Sequence, residues 1–245
     1  MDLIFGLNPV LEALRAGQRK ISRIYIAAGR RDKRLSEVLT LARLNHIELR
    51  VLPAEAFNKR FHGKGLQGVV AEIAFRQYVS LEEVVNIPQK EGELPLFLLL
   101  DELEDPRNLG AILRTAEAGG VQGIIIPSHR AADLGPTVAK TSAGAIEYVP
   151  VVKVSNLKRA MEVLREKGIW IYGADLNAPK NLWEEDLNVP LAIVFGSEGR
   201  GLRKTIRQSC DALISIPMFG RLNSLNVSVA AGVVIFEILR QRQGK

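Results

Sequence analysis

Apolar residues follow one pattern in the first third of the chain and another in the remainder. Beyond residue 95, five short runs are almost continuously apolar, which is typical of strands that a sheet buries on both faces. These runs are residues 96–101, 123–127, 169–175, 191–197 and 212–217. Helical patterns separate or follow them, at residues 109–119, 136–144, 156–167, 202–208 and 227–242. The alternation predicts a doubly wound α/β domain with a mostly parallel sheet, whose ligands bind beyond the carboxyl ends of the strands.

Shorter patterns alternate before residue 75 and predict a small α/β domain. Its first helix is expected over residues 8–17, with Asn8 as N-cap, Pro9 at the first helical position and Gly17 at the end. The remaining elements are predicted helices at residues 32–45 and 54–61 and predicted strands at residues 22–28, 47–53 and 66–74.

A linker is predicted between these two regions. Residues 75–95 lose the apolar periodicity and gather Pro88, Gly92, Pro95 and several charges. The predicted organisation is therefore a first domain of residues 1–74, a linker of residues 75–95 and a second domain of residues 96–245.

The net charge of +6 lies entirely in the first of these regions. Residues 1–74 contain 13 Lys and Arg against 7 Asp and Glu, whereas residues 75–245 contain 20 of each. A basic module beside a neutral one favours binding of a polyanion such as nucleic acid, with a solvated basic face as the alternative. The candidate RNA contacts are Arg30, Arg31, Lys33, Arg34, Lys59, Arg60 and Lys64.

Other classes of protein lose support from the composition. No apolar run reaches the roughly 18 residues that a membrane span needs. The first residues show no pattern of a secretory signal, and Cys210 is the single cysteine. Three scattered histidines without a CxxC pair supply no metal site. We therefore expect a cytoplasmic protein without a metal or a membrane partner.

Three polar clusters follow strands of the second predicted domain. They are DPRNLGAILRTAEAGG (105–120), FGSEGRGL (195–202) and MFGRLNSLNVS (218–228). In the first cluster, Arg114 has apolar neighbours, which favours an interaction with an anionic or hydrogen-bonding partner. The alternative is that Arg114 is an ordinary exposed residue on the helix surface. In the second, three glycines surround Glu198 and permit tight turns. No GxGxxG follows the strand predicted at residues 96–101, and the GK[ST] of a P-loop is missing, which argues against a nicotinamide enzyme or a nucleotidase.

The helix at residues 227–242 is apolar almost all round. A helix of this kind is packed on more than one side. We expect the sheet on one side and another subunit on the other, although a linker or a neighbouring helix would also serve.

The three clusters resemble, in order and spacing, the three motifs of the SpoU (TrmH-type) RNA ribose 2′-O-methyltransferases over residues 97–242. FGLNPVLEAL (5–14) and FHGKGLQGVVAE (61–72) are similar to the small substrate-binding domain of a subset of that family, which includes enzymes acting on a guanosine of 23S rRNA. The resemblance implies a SPOUT-like catalytic domain with a C-terminal trefoil knot. It also implies S-adenosylmethionine as cofactor and a homodimer formed through the last helix.

The resemblance also assigns site residues. Those implied to be catalytic are Asn108, Arg114, Glu198, Ser224 and Asn226, and those implied to hold the cofactor are Gly196, Ile216, Met218, Leu222 and Leu225. In the family, Arg114 would assist deprotonation of the ribose 2′-hydroxyl. Because a guanidinium has a pKa above about 12, we favour a role in stabilising the developing alkoxide and holding a phosphate.

The other polar residues would support that step. Glu198 is expected to position Arg114 or Asn108, Asn226 to hydrogen-bond the loop or the ribose, and Ser224 to orient the hydroxyl. Two alternatives stay open: a tRNA methyltransferase of the same class, and a non-catalytic RNA-binding or assembly factor.

Overall fold

The computed structural model describes residues 1–30, 32–62, 67–87 and 93–243. It divides into two compact units, and the division does not simply follow the chain. The first unit joins Met1–Gln77 to Asp133–Tyr148, and the second joins Tyr78–Ala132 to Val149–Lys245.

The first unit is built on a four-stranded sheet. Its strands are β1 (Asp2–Phe5), β2 (Ile21–Ala27), β3 (Glu48–Leu52) and β4 (Val69–Ile73), in the order β1-β4-β2-β3. β4 is antiparallel to both of its neighbours, whereas β2 and β3 are parallel. The helices are α1 (Leu7–Ala16), α2 (Lys33–Leu44) and α3 (Ala54–Phe61). Phe57 and Phe61 of α3 pack with Tyr25 and Val70 in a buried cluster.

The start of α1 differs from the prediction. Gly6 is its N-cap, with a φ of 102° that favours glycine, and Asn8 lies inside the helix. The Gln67 side chain accepts a hydrogen bond from the Leu7 amide (3.0 Å). A residue distant in sequence therefore supplies the side-chain acceptor at the helix start that was expected from Asn8. The prediction that Asn8 is the N-cap is therefore wrong, while the predicted end at Gly17 is confirmed.

A segment from the middle of the chain completes the first unit. Residues 133–148 contain α6 (Pro136–Thr141) and a short 3₁₀ helix at Ala145–Glu147. Arg19 forms a buried ion pair with Glu147, in which Nε donates to Oε2 at 2.9 Å, and it also donates to the Ala74 carbonyl. Removing one partner of such a pair leaves a buried charge uncompensated, so the pair ties residues 133–148 to this unit.

The two units therefore differ from the predicted domains in two places. Residues 133–148, which the prediction assigned to the second domain, group with the first unit. Residues 78–87, which the prediction assigned to the linker, group with the second unit and contain α4 (Leu81–Val85). A capping box between Ser80 and Glu83 starts α4, and Val84 is buried in the core of the second unit. Residues 88–92 lie outside the described residues.

The second unit contains a seven-stranded sheet in the order β7-β6-β5-β10-β8-β11-β9. Its strands are β5 (Leu96–Leu100), β6 (Gly123–Pro127), β7 (Val151–Val154), β8 (Trp170–Ala174), β9 (Lys180–Asn181), β10 (Leu191–Phe195) and β11 (Ala212–Ser215). Its longer helices are α5 (Pro106–Ala118), α7 (Leu157–Glu166) and α9 (Val227–Gln243), and α8 (Lys204–Arg207) is a single turn. All paired strands are parallel, and every residue of β5, β6 and β10 is buried.

The strand order brings the first two polar clusters to neighbouring strand ends in the sheet. The chain runs outward from β5 to β6 and β7, and β10 later inserts between β5 and β8. Strand order thus reverses between β5 and β10, where ligands of doubly wound folds bind. The first two polar clusters follow these two strands.

α9 packs along α5 on one of its sides. A Cβ on Gly119 would lie 2.3 Å from Ile235 Cγ2, so the helices meet where α5 ends and a side chain would not fit. Another side of α9 is exposed in the described chain, where Val229 and Phe236 are each 52% exposed. No helix among the described residues has the length and apolarity to cross a membrane.

Candidate active site

The loop after β10, residues 196–203, is folded onto itself, and we call it the closed loop. The Gly201 amide donates to the Ser197 carbonyl (3.0 Å), and these residues form an isolated bridge. A Cβ on Gly196 would lie 2.1 Å from the Gly201 carbonyl carbon and 2.4 Å from the Leu202 nitrogen. Gly196 is therefore required by the loop's own backbone, in agreement with the tight turn that the glycines predicted.

Asp101, the residue after β5, anchors the far end of the closed loop. Its side chain is fully buried and accepts hydrogen bonds from the Arg203 amide (3.1 Å) and from Arg203 Nε (2.8 Å). The carboxylate raises the pKa of the Arg203 guanidinium above its ordinary value. Sequence reasoning missed Asp101, although a carboxylate directly after a fully apolar strand was a usable signal.

The loop after β11, residues 216–226, has the opposite character, and we call it the open loop. Residues 217–225 make no hydrogen bond with any part of the chain that the structure describes. Four apolar side chains predicted to hold the cofactor lie here: Ile216 and Met218 are half-buried, and Leu222 and Leu225 are exposed. Free backbone amides and carbonyls beside apolar side chains suit a ligand with an aromatic base and hydrogen-bonding edges.

Asn226 joins the three polar clusters. Its Nδ2 donates to Asn108 Oδ1 (3.0 Å) on α5 and to Glu198 Oε1 (2.6 Å) in the closed loop. Its Oδ1 accepts from the Ser228 amide (2.9 Å) and from the Ser228 hydroxyl (2.5 Å), so it also caps α9. One side chain thus holds a helix start, the closed loop and α5 together.

These contacts correct the role expected of Glu198 and, of the two roles expected of Asn226, favour a bond to the loop over a bond to the ribose. Both amide hydrogens of Asn226 are occupied by protein acceptors, so it has no donor left for a ribose in this arrangement. Glu198 contacts Asn226, rather than Arg114 or Asn108 as predicted. Both residues therefore position the site.

Three other predicted residues carry polar groups without protein partners. Asn108 is buried in the first turn of α5, which Asp105 caps, and its amide nitrogen has no partner among the described residues. Arg114 and Ser224 are exposed and make no hydrogen bond or ion pair with the described chain. The structure thus bonds Asn108, Glu198 and Asn226 together and leaves Arg114 and Ser224 outside that network.

The residues predicted to contact RNA divide into paired and unpaired side chains. Lys33 and Lys59 are exposed and have no partner among the described residues. Arg34 donates to Asn8 Oδ1 (2.9 Å), and Arg30 lies 3.9 Å from an Asp32 carboxylate oxygen. Arg60 stacks over the Tyr25 ring at 4.6 Å and donates to its hydroxyl. Arg31 and Lys64 lie outside the described residues.

Two family models cover most of the chain. Residues 95–236 match the SpoU rRNA Methylase family, and residues 3–79 match the RNA 2′-O ribose methyltransferase substrate-binding domain. Together with the parallel sheet and its polar loops, these matches define an RNA 2′-O-methyltransferase. The chain belongs to the SpoU rRNA Methylase family, which confirms the resemblance, the parallel-sheet α/β fold class and the enzyme class predicted from the motifs, whereas the trefoil knot stays a prediction.

Relatives of nearly equal length support this assignment. The chain is 42% identical to the "putative TrmH family tRNA/rRNA methyltransferase YacO" of Bacillus subtilis, over 98% of this chain and 96% of YacO. It is 40% identical to the 23S rRNA (guanosine-2′-O-)-methyltransferase RlmB of Shewanella oneidensis, over 99% and 98% of the two chains.

A solved structure supports the fold and the cofactor. The SpoU methyltransferase AviRb from Streptomyces viridochromogenes, in complex with AdoMet, superposes with a TM-score of 0.82 at 26% identity, covering 99% of this chain and 91% of AviRb. Together with family membership, this confirms the prediction of S-adenosylmethionine as cofactor. No group of three or more His, Cys, Asp or Glu side chains within the described ranges is placed to bind a metal.

Proposed function

We propose that this protein transfers the methyl group of S-adenosylmethionine to the ribose 2′-hydroxyl of a guanosine in 23S rRNA. The observation that carries the proposal is the bonding of Asn226 to both Asn108 and Glu198, because it assembles three distant motifs at one edge of the sheet. The substrate rests on the roughly 40% identity to RlmB over nearly the full length of both chains.

The open loop and the start of the closed loop would hold the cofactor. The backbone at Gly196, Ile216 and Leu225 would bind its adenosine and methionine parts, with Met218 and Leu222 as apolar walls. When bound, the cofactor supplies a methyl group on a positively charged sulfur. The protein's task is then to orient the hydroxyl and stabilise charge.

Arg114 would act on the reacting oxygen. As the 2′-hydroxyl releases its proton to solvent water, the Arg114 guanidinium would donate to the oxygen on which negative charge develops, and it would also bind the adjacent phosphate. The free Asn108 amide and the Ser224 hydroxyl would orient the ribose. Asn226 and Glu198 would act indirectly, by fixing Asn108 and the closed loop.

Radiolabelled methyl transfer tests the reaction and its substrate. The full chain is incubated with labelled S-adenosylmethionine and either a 23S rRNA fragment or bulk tRNA, and modified positions are mapped by mass spectrometry. We expect 2′-O-methylguanosine in the 23S fragment. Methylation of tRNA alone would favour the tRNA alternative, for which YacO's name gives the support. Failure to bind S-adenosylmethionine in calorimetry would favour a non-catalytic RNA-binding factor.

Arg114 provides the matched test of mechanism. Arg114→Ala should abolish transfer, while cofactor binding measured by calorimetry stays near that of the unchanged protein. Arg114→Lys keeps the charge but loses the planar donor pair, so it should restore only part of the rate. Full activity of Arg114→Ala would remove this residue from the mechanism.

The first unit would hold the RNA through phosphates. Exposed and unpaired Lys33 and Lys59 are the strongest candidates, and Arg30, Arg31, Arg34, Arg60 and Lys64 remain proposed contacts. Binding through these side chains should weaken as salt rises. Because the proposed substrate is ribosomal RNA, we place the protein in the cytoplasm.

A homodimer through α9 is also part of the proposal, together with the implied trefoil knot. Val229 and Phe236 are separated by two helical turns and expose one apolar face, which a second copy would cover. Light scattering after gel filtration should give a dimer for the unchanged protein. Phe236→Asp should give a folded monomer, and an unaltered dimer would place the interface elsewhere.

A further inference from the structure

The described part of the second unit contains a cavity of about 500 Å³ that the proposed site does not use. It opens beyond the carboxyl ends of β5, β6 and β7. We call it the basic cavity, defined by Glu102, Arg130, Ser155, Lys158, Arg203 and Thr205. Its position outside strand ends is where ligands of doubly wound folds bind.

The wall of the basic cavity offers donors and positive charge. Lys158, Ser155 and Thr205 are exposed, and their side chains have no partner among the described residues. Arg130 and Arg203 face the one carboxylate of the wall, Glu102, at 3.2 and 3.7 Å. Lys158 is therefore a cation without a compensating anion.

Two residues that line the basic cavity have a strained backbone conformation. Glu102 and Arg130 have φ values of 58° and 53°, a left-handed conformation that residues other than glycine rarely adopt. Both follow strands directly or within a few residues, and their side chains are ion-paired to each other. Strained residues of this kind persist where the surrounding structure holds them, often at binding sites.

The closed loop connects the basic cavity to the proposed active site. Glu198 near one end of this loop bonds Asn226, and Arg203 at the other end lines the cavity. Five residues of extended chain span at most about 18 Å. Backbone phosphates within a few nucleotides of the methylated one are therefore within reach of the cavity.

We infer that the basic cavity binds a backbone phosphate of the RNA substrate, within a few nucleotides of the one that is methylated. Lys158 supplies the main contact, with Ser155, Thr205 and Arg130 as further donors. This inference rests on the proposed function, because it takes the same RNA as ligand. The phosphate contact positions the RNA and carries no base specificity.

Two lysines of α7 provide a matched test. Lys158 lies in the first turn of α7 at the cavity, whereas Lys167 caps the other end of α7 and its Nζ donates to Asn86 Oδ1 at 3.3 Å. Lys158→Gln and Lys167→Gln make the same change of charge. Binding of a fluorescent 23S rRNA fragment is measured by anisotropy at several potassium chloride concentrations.

Lys158→Gln should weaken RNA binding about threefold to fivefold and reduce the slope of log affinity against log salt by about 0.7. The KM for RNA should rise, while kcat at saturating RNA and the affinity for S-adenosylmethionine stay unchanged. Lys167→Gln should match the unchanged protein. Arg130→Gln provides a second variant that should act in the same direction.

Equal salt slopes for Lys158→Gln and Lys167→Gln would overturn the inference, even if methyl transfer to 23S rRNA is observed. Conversely, an unchanged protein that binds the fragment without methylating it would contradict the proposed function. The difference in slope between the two variants would still decide the role of the cavity.

Discussion

The closed loop and the open loop leave the same edge of one sheet but are built in different ways. The closed loop is bonded within itself, and Asp101 holds its far end through Arg203. In the open loop, residues 217–225 make no hydrogen bond with any part of the described chain. Asn226, at the end of the open loop, bonds Glu198 in the closed one.

The difference indicates that the chain alone forms one part of the proposed site, whereas we expect a ligand to complete the other part. Fixing the backbone of one residue costs about 1–2 kcal/mol of conformational entropy. The closed loop meets this cost through its own contacts. The backbone groups of the open loop lack such contacts within the described chain. Because we propose that they bind the cofactor, we expect this loop to respond most to cofactor binding.

The largest effect should follow from adding one methyl group to the closed loop. In Gly196→Ala the new Cβ meets the backbone of Gly201 and Leu202, which a side-chain movement cannot relieve. We expect a loss of about 1–3 kcal/mol in the free energy of unfolding and a fall of about 100-fold in methyl transfer. Thermal unfolding and the transfer assay measure the two effects.

Gly220→Ala in the open loop is the control for that change. A Cβ on Gly220 meets nothing within 4 Å, and its backbone needs no positive φ. Its stability should stay within about 0.5 kcal/mol of the unchanged protein. If the two variants behaved alike, the contrast between the loops would be wrong.

A smaller effect is expected from cutting the link between the loops. Asn226→Ala removes the cap of α9 and both bonds to Asn108 and Glu198, so it should cost about 1 kcal/mol of stability and about tenfold in rate. Asn226→Asp still caps the helix but cannot donate to Glu198. It should keep more of the stability than Asn226→Ala but lose the rate. Stability and rate that both stayed unchanged in Asn226→Asp would reduce the role of Asn226 to that of a cap.

Limited trypsin cleavage compares the loops directly. Arg200 lies in the closed loop and Arg221 in the open loop, and both are exposed. Cleavage after Arg221 should be several times faster, and S-adenosylmethionine should slow it while hardly changing cleavage after Arg200. Fragments are identified by mass spectrometry. Faster cleavage after Arg200 would reverse the comparison.

The smallest effect concerns the thiol beneath the closed loop. Cys210 and Leu202, which follows Gly201, both border Gly173, and burial raises the pKa of the Cys210 thiol to about 12. Because the thiolate is the reactive form, iodoacetamide at pH 8 should modify the folded protein very slowly. Modification should be faster in Gly196→Ala and unchanged in Gly220→Ala.

Apolar runs predicted the large sheet well because strands buried on both faces leave a clear trace. β5, β6 and β10 begin where the runs begin. Strands without that trace were missed: β9 has two residues, and β1 and β7 are only partly buried. The motifs identified Asn108, Glu198 and Asn226, but spacing does not reveal which hydrogen bond each side chain makes. The hydrogen bond of Gln67 to the start of α1 could not be predicted for the same reason, since its partner Leu7 is 60 residues away in the sequence.

The ion pair between Arg19 and Glu147 has a consequence for exchanging parts between relatives. The backbone passes between the two units at residues 77–78, 132–133 and 148–149, so the first unit is encoded in two separate stretches. A chimera that replaced only residues 1–77 would leave Glu147 facing a foreign surface, with a penalty of about 3–5 kcal/mol unless a new cation met it. Donor sequence for residues 133–148 would have to be transplanted along with the amino-terminal piece.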